Sequence, residues 1–302
     1  MNTENSKNYI AHFHLPGLFE FYEFYRVFLP LFFEHREYFY DWCGIGSIYG
    51  APADCIWGGG RVGFGDNSAG EVTALMEEYD VSARLTFSNS LLRPEHLTDR
   101  KCNALCNLFR KGGNGIILHS DLLLRFLRER YPEFYFVSST TKVITDFGAL
   151  RAELNREEFS YVVPDFRLNR NFSKLNTLSD AQKTKAEFLC NECCWFGCTA
   201  RKECYENVSR KVLGEPCQDH VCASPTASEG YVFSKAMQNP GFISVNDIQN
   251  IYLPMGFSEF KIEGRSFGSA LILEFILYYM TRPEYHLQVR EAIYLDSSLD
   301  LF

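Results

Sequence analysis

Short apolar runs alternate with longer amphipathic stretches along most of the chain. The runs read as strands at roughly Tyr9–Leu15, Gly44–Tyr49, Ala83–Ser88, Gly115–His119, Phe134–Ser138, Tyr161–Val163, Ala186–Leu189 and Phe260–Ile262. The stretches between them predict helices over Phe19–Glu34, Ala69–Glu78, Asp99–Lys111, Asp121–Tyr131, Phe172–Thr184 and Phe267–Thr281. Near-continuous apolar strands alternating with helices make βα units and a parallel sheet. Eight units fit a closed (β/α)8 TIM-like barrel of the α/β class, a fold of about 250 residues. An open doubly wound sheet is the alternative, and the strand count favours the barrel. From Cys190 to about Gly241 the rhythm fails, which reads as a Cys-rich insertion (190–241) after the seventh strand within a single domain spanning 1–302.

A barrel gathers its chemistry at the C-terminal ends of its strands, because the βα loops converge there. Cys55 follows strand two. His119, Ser120 and Asp121 end strand four, and Ser138 to Thr141 end strand five. Asp165, Arg167 and Asn169 follow strand six, and Asn191, Glu192, Cys193 and Cys194 follow strand seven. Strand eight is FKIEGR, with Lys261, Glu263 and Arg265 on one face. Charges at successive same-face positions of a buried strand are costly unless paired, so this set reads as functional. Ser139 to Thr141 read as loop and capping residues, Asp121 as the cap of the following helix, and His119 as a hydrogen-bonded core histidine. GGGRVGFG at Gly58–Gly65 lacks the G-x-x-x-x-G-K-[ST] pattern and reads as a mobile loop, not a phosphate cradle.

Seven of the 11 cysteines lie between Cys190 and Cys222, in the order C-x2-C-C-x3-C-x5-C-x12-C-x4-C. A zinc ribbon wants two regular C-x2-C knuckles, and only Cys190–Cys193 offers that spacing. Looser spacing suits a cubane cluster held by four thiolates from distant points, with zinc as the alternative. Cys55 could join from the neighbouring rim. Cys190, Cys102 and Cys106 read as packed small hydrophobes.

The run FLCNECCWFGCTARKECY resembles the L-V-N-E-G-C-x-x-N-C-P-x-R-x-x-H-Y segment of proteins related to the peptidase U32 (collagenase-like) family. Asn191, Glu192, Cys194, Cys198, Arg201 and Tyr205 match, whereas Cys193 replaces Gly, Thr199 replaces Pro and Cys204 replaces His. GFSEFKIEGR resembles the family's G-I-x-x-F-K-I-E-G-R strand, and VVPDFRLNRNFSKL its V-V-x-x-x-x-L-N-R-x-F-x-x-L segment. SIYGAPADC is similar to the V-Y-x-G-x-x-x-C stretch of members that assist anaerobic ubiquinone hydroxylation. The resemblance implies a TIM-like barrel, in several members a [4Fe–4S] cluster and oxygen-independent hydroxylation of RNA or quinone, and in others a peptidase. It aligns Cys194 and Cys198 with the family's cysteine pair; Cys217 and Cys222 are later ligands by spacing, and Cys55 comes from the ubiquinone-type members.

Composition narrows the partners. The 302 residues carry a formal charge of −8, which disfavours a general polyanion binder. No apolar run reaches a membrane span, and the N-terminus has no signal layout, so a cytoplasmic protein is expected. The expected function is an iron–sulfur enzyme that modifies RNA, a peptide or a small aromatic, with Lys261, Glu263, Arg265 and Glu192 binding or polarising substrate. The alternatives are a metal-stabilised partner or scaffold subunit, and a peptidase, against which stands the absence of HExxH, of G-x-S-x-G and of a dominant Cys–His pair.

Overall fold

The computed structural model describes residues 11–60 and 68–298, with side chains to residue 294. The start of the first expected strand and most of the Gly58–Gly65 stretch lie outside the described residues. Eight parallel strands form one sheet: β1 (Ala11–Pro16), β2 (Cys43–Gly50), β3 (Ala83–Phe87), β4 (Gly115–Leu118), β5 (Tyr135–Ser138), β6 (Tyr161–Val162), β7 (Glu187–Leu189) and β8 (Glu259–Lys261). The order β6-β5-β4-β3-β2-β1-β8-β7 turns back on itself. A single parallel bridge, Val162 to Ala186, joins its two edges. The result is a nearly closed (β/α)8 barrel.

Helices α1 (Tyr22–Glu34), α2 (Ala69–Glu78), α3 (Arg100–Phe109), α4 (Asp121–Arg130), α5 (Phe147–Leu154), α6 (Phe172–Leu175), α7 (Asp180–Lys183), α8 (Arg201–Val212), α9 (Phe233–Ala236), α10 (Val245–Asp247), α11 (Ser269–Tyr279) and α12 (His286–Ser298) connect and flank the strands. Three expectations are corrected. The helix expected over Phe172–Thr184 is two short ones, because Ser179 starts a new N-terminus in a reciprocal capping box with Gln182. The cap of α4 is Ser120, whose hydroxyl accepts from the Leu123 N–H, while Asp121 is the first helical residue and pairs with Arg156 at 2.9 Å. The interval after β7 holds a helix, α8.

The period of two along each strand sorts side chains into two cores. In β1, Ala11, Phe13 and Leu15 are fully buried toward the helices, and His12 and His14 turn inward. The outward residues join the large apolar core between sheet and helices. Inside, Tyr49, Ile117, Val137, Val163 and Leu189 make a small separate apolar cluster. Below it the interior is charged. Arg84 Nη1 donates to Glu187 at 2.5 Å, Lys261 Nζ donates to Glu187 at 3.1 Å, and His14 Nε2 lies 2.9 Å from Glu259. The N-terminal end opens into a cavity of about 480 Å³ lined by His12, His14, Arg84, Tyr135, Tyr161 and Glu259.

Candidate active site at the C-terminal mouth

The end of β8 continues as Ile262-Glu263-Gly264-Arg265. Gly264 has a φ of +156°, and a Cβ there would sit 2.4 Å from Ile272 Cδ1. Glycine therefore lets this turn press onto α11 while Lys261, Glu263 and Arg265 all face the mouth. Asn191, just past β7, clamps the two strand ends together. Its Nδ2 donates to the Glu263 carbonyl at 3.1 Å, and its Oδ1 accepts from the Glu263 N–H at 2.7 Å.

A cavity of about 80 Å³ fills the mouth. Lys261, Glu263, Arg265 and Glu192 all line it, together with Tyr49, Thr86, Ser88, Thr140 and Tyr205. The sequence reading thus brought four residues from two strand ends to one place. It missed Tyr49, Thr86 and Ser88, whose signal was their inward phase just beyond or within apolar strands. The Thr86 and Ser88 hydroxyls are buried and have no hydrogen-bond partner among the described residues.

Each charged group is held from behind. Lys261 Nζ sits 3.5 Å from the centroid of the Tyr49 ring, a cation–π contact, as well as beside Glu187. Burial pushes the Lys261 ammonium down to about 8, against the opposing pull of Glu187. Arg265 Nε donates to Glu20 at 2.8 Å and its Nη2 to the Ala51 carbonyl at 2.8 Å. Glu192 pairs with the fully buried Arg201, the first residue of α8. The Arg201 guanidinium also lies 4.8 Å above the Phe166 ring. His119 is the hydrogen-bonded histidine expected, 3.0 Å from Thr141 Oγ1 and pushed down to about 4 by burial.

The thiols are spread. Cys194 and Cys198 open the segment before α8; the Cys194 N–H donates to Glu192 at 3.0 Å, and the Cys198 carbonyl accepts from Arg167 at 2.7 Å. Cys217 lies where the chain folds back along α8, since the next residue, Gln218, accepts at its carbonyl from Asn207. Cys222 is exposed. Cys55 turns into the core, its Sγ 3.3 Å from Cys102 Sγ, and does not line the mouth cavity. Among the described residues, one group of three or more His, Cys, Asp or Glu ligand atoms lies within 4.8 Å of one another: Glu192, Cys193 and Glu263. No three of the expected thiols meet that spacing. A four-thiolate cluster therefore rests on the sequence pattern alone.

No helix among the described residues is long and apolar enough to cross a membrane. No known family profile matches the chain, and no curated protein does. Among solved structures, the U32 peptidase Mk0906 superposes with a TM-score of 0.51 over 84% of this chain and 92% of that one, at 10% sequence identity. At that identity the likeness establishes architecture alone. The chain has a U32-peptidase-like TIM-barrel fold.

Proposed function

We propose that this protein is an enzyme that works at the C-terminal mouth of its barrel, where Lys261 receives an anionic or carbonyl group of the substrate. The reading is carried by one observation: four polar residues from the ends of β7 and β8 converge on one cavity that also holds two buried hydroxyls with no partner among the described residues. Lys261 is buried, and a buried amine makes stronger charge-assisted bonds than one on the surface. At about 80 Å³ the cavity admits a carboxylate- or phosphate-sized group, whereas sites for drug-sized molecules run to roughly 300–1,000 Å³. Such a group would be one part of a larger substrate, whether RNA, a peptide or a small aromatic.

The test uses thermal unfolding of the full chain with acetate and with inorganic phosphate as probes. One of them should raise the midpoint saturably, by about 4 °C at a hundredfold excess over Kd. Lys261→Met should abolish the rise with circular dichroism unchanged, and Ser88→Ala, which breaks no ion pair, should weaken it. No rise with either anion, or a rise that survives Lys261→Met, refutes the proposal and favours the scaffold reading.

A second reading keeps the iron–sulfur chemistry of oxygen-independent hydroxylation. What favours it is that Cys194 and Cys198 begin at the C-terminal end of β7, on the same loop as Glu192. Cys194, Cys198, Cys217 and Cys222 would be its ligands. Protein purified without oxygen should then be brown with about four irons per chain and lose its colour in Cys198→Ser.

A further inference from the structure

We propose that Glu192, Cys193 and Glu263 form a binding site for a single divalent transition ion, zinc before others, at the edge of the mouth cavity. Their ligand atoms all lie within 4.8 Å of one another. A tetrahedral zinc site with Zn–O of about 2.0–2.2 Å and Zn–S of about 2.3 Å places neighbouring ligands roughly 3.5 Å apart, so small side-chain rotations suffice.

The backbone holds this geometry in advance. The Asn191 clamp fixes the β7 and β8 ends face to face, and the Cys193 N–H donates to Glu263 Oε2 at 3.0 Å. Behind Glu192, the buried Arg201 orients the carboxylate, the role outer hydrogen-bond partners play around metal ligands.

The donor set selects the ion. Calcium and magnesium take oxygen alone. Cu(I) and iron–sulfur clusters want more sulfur than one thiolate. Two oxygens and one sulfur suit borderline zinc, and three protein ligands leave a fourth position open. Glu192 and Glu263 line the mouth cavity together with Lys261, Ser88 and Thr86, and the last two carry buried hydroxyls with no partner among the described residues. Those buried hydroxyls independently mark the cavity as one that takes a polar occupant. Cys193 stands where the resembled pattern has glycine, so the site belongs to this chain and does not come from the resemblance.

The inference rests on the mouth being the working site, yet its test reads metal and not anion binding. Full-length protein purified without oxygen and stripped by chelator is titrated with Co²⁺. One ion per chain should bind with a single thiolate charge-transfer band, and Zn²⁺ should displace it. Cys193→Ser should remove the band. Glu263→Gln should weaken binding at least about tenfold. Cys204→Ser should leave both unchanged. Glu192 is left intact, since its pair with buried Arg201 makes loss of fold a competing result. A band that survives Cys193→Ser, or no stoichiometric uptake, overturns the proposal. Cobalt uptake without anion stabilisation would sink the proposed function and leave this site standing.

Discussion

Glu187→Gln removes the one carboxylate that faces both Arg84 and Lys261 while keeping its shape. Glu187 is completely buried, Arg84 nearly so, and their contact is 2.5 Å. Arginine cannot shed its charge at any working pH, so the variant strands a guanidinium inside the barrel. Breaking a buried pair in this way costs about 3–5 kcal/mol. Two neighbours soften the blow: Tyr135, whose hydroxyl accepts from Arg84 Nε at 2.7 Å, and the Tyr161 ring, 4.7 Å away. The lower end, about 3 kcal/mol, is therefore expected. For a chain of this length the unfolding entropy is about 0.6 kcal/mol/K, so the midpoint should fall by about 5 °C. The assay is reversible thermal unfolding followed by circular dichroism, in Glu187→Gln, Arg84→Gln and the double variant. The double variant should recover about 2 kcal/mol relative to additivity. A fall of less than about 2 °C in Glu187→Gln, or strictly additive losses, would refute the claim that this pair balances the interior.

Two further outcomes follow from named contacts. Burial works to raise Glu259, but the bonds from His12 and His14 overcome it and hold the carboxyl at about 2, against 4.5 in the unfolded chain. A depressed carboxylate stabilises fully above its unfolded value and loses that contribution as pH falls through the folded one, so stability should drop between about pH 4.5 and pH 2. Glu259→Gln should flatten that limb in an acid titration followed by fluorescence, and an unchanged limb would contradict it. At α4, Ser120→Ala should cost about 1 kcal/mol and Asp121→Ala less, because the serine hydroxyl caps the Leu123 N–H whereas Asp121 makes a surface pair. Denaturant midpoints that rank the two the other way would reverse the assignment.

All eight strands were legible, because each βα strand is apolar on the face toward the helices and bounded by turn chemistry. The helices were less so. In α5, Asp146 caps the Ala149 N–H of a run, FGALRAEL, whose apolar stripe is only three residues long. In α8 the mean composition is polar, and what anchors the helix is the buried Arg201, an ion pair that sequence alone does not reveal. At the site, FKIEGR announced itself because three charges of one phase cannot be accidental in a buried strand. Arg84 and Glu187 did not, because each stands alone in an apolar strand and its partner lies 103 residues away. Cys55 misled for a related reason: position after a strand locates the loop, not which way the sulfur points, and here it points at Cys102.

The barrel's seam has a thermodynamic corollary. Six of its eight staves are joined to both neighbours by ladders, but the edge strands β6 and β7 meet through one bridge. Val163 lies on one side of that gap, Leu189 and Glu192 on the other, and all three border the same hollow. A guest touching both banks would bind the bridged form preferentially and so would stabilise the closure of the cylinder.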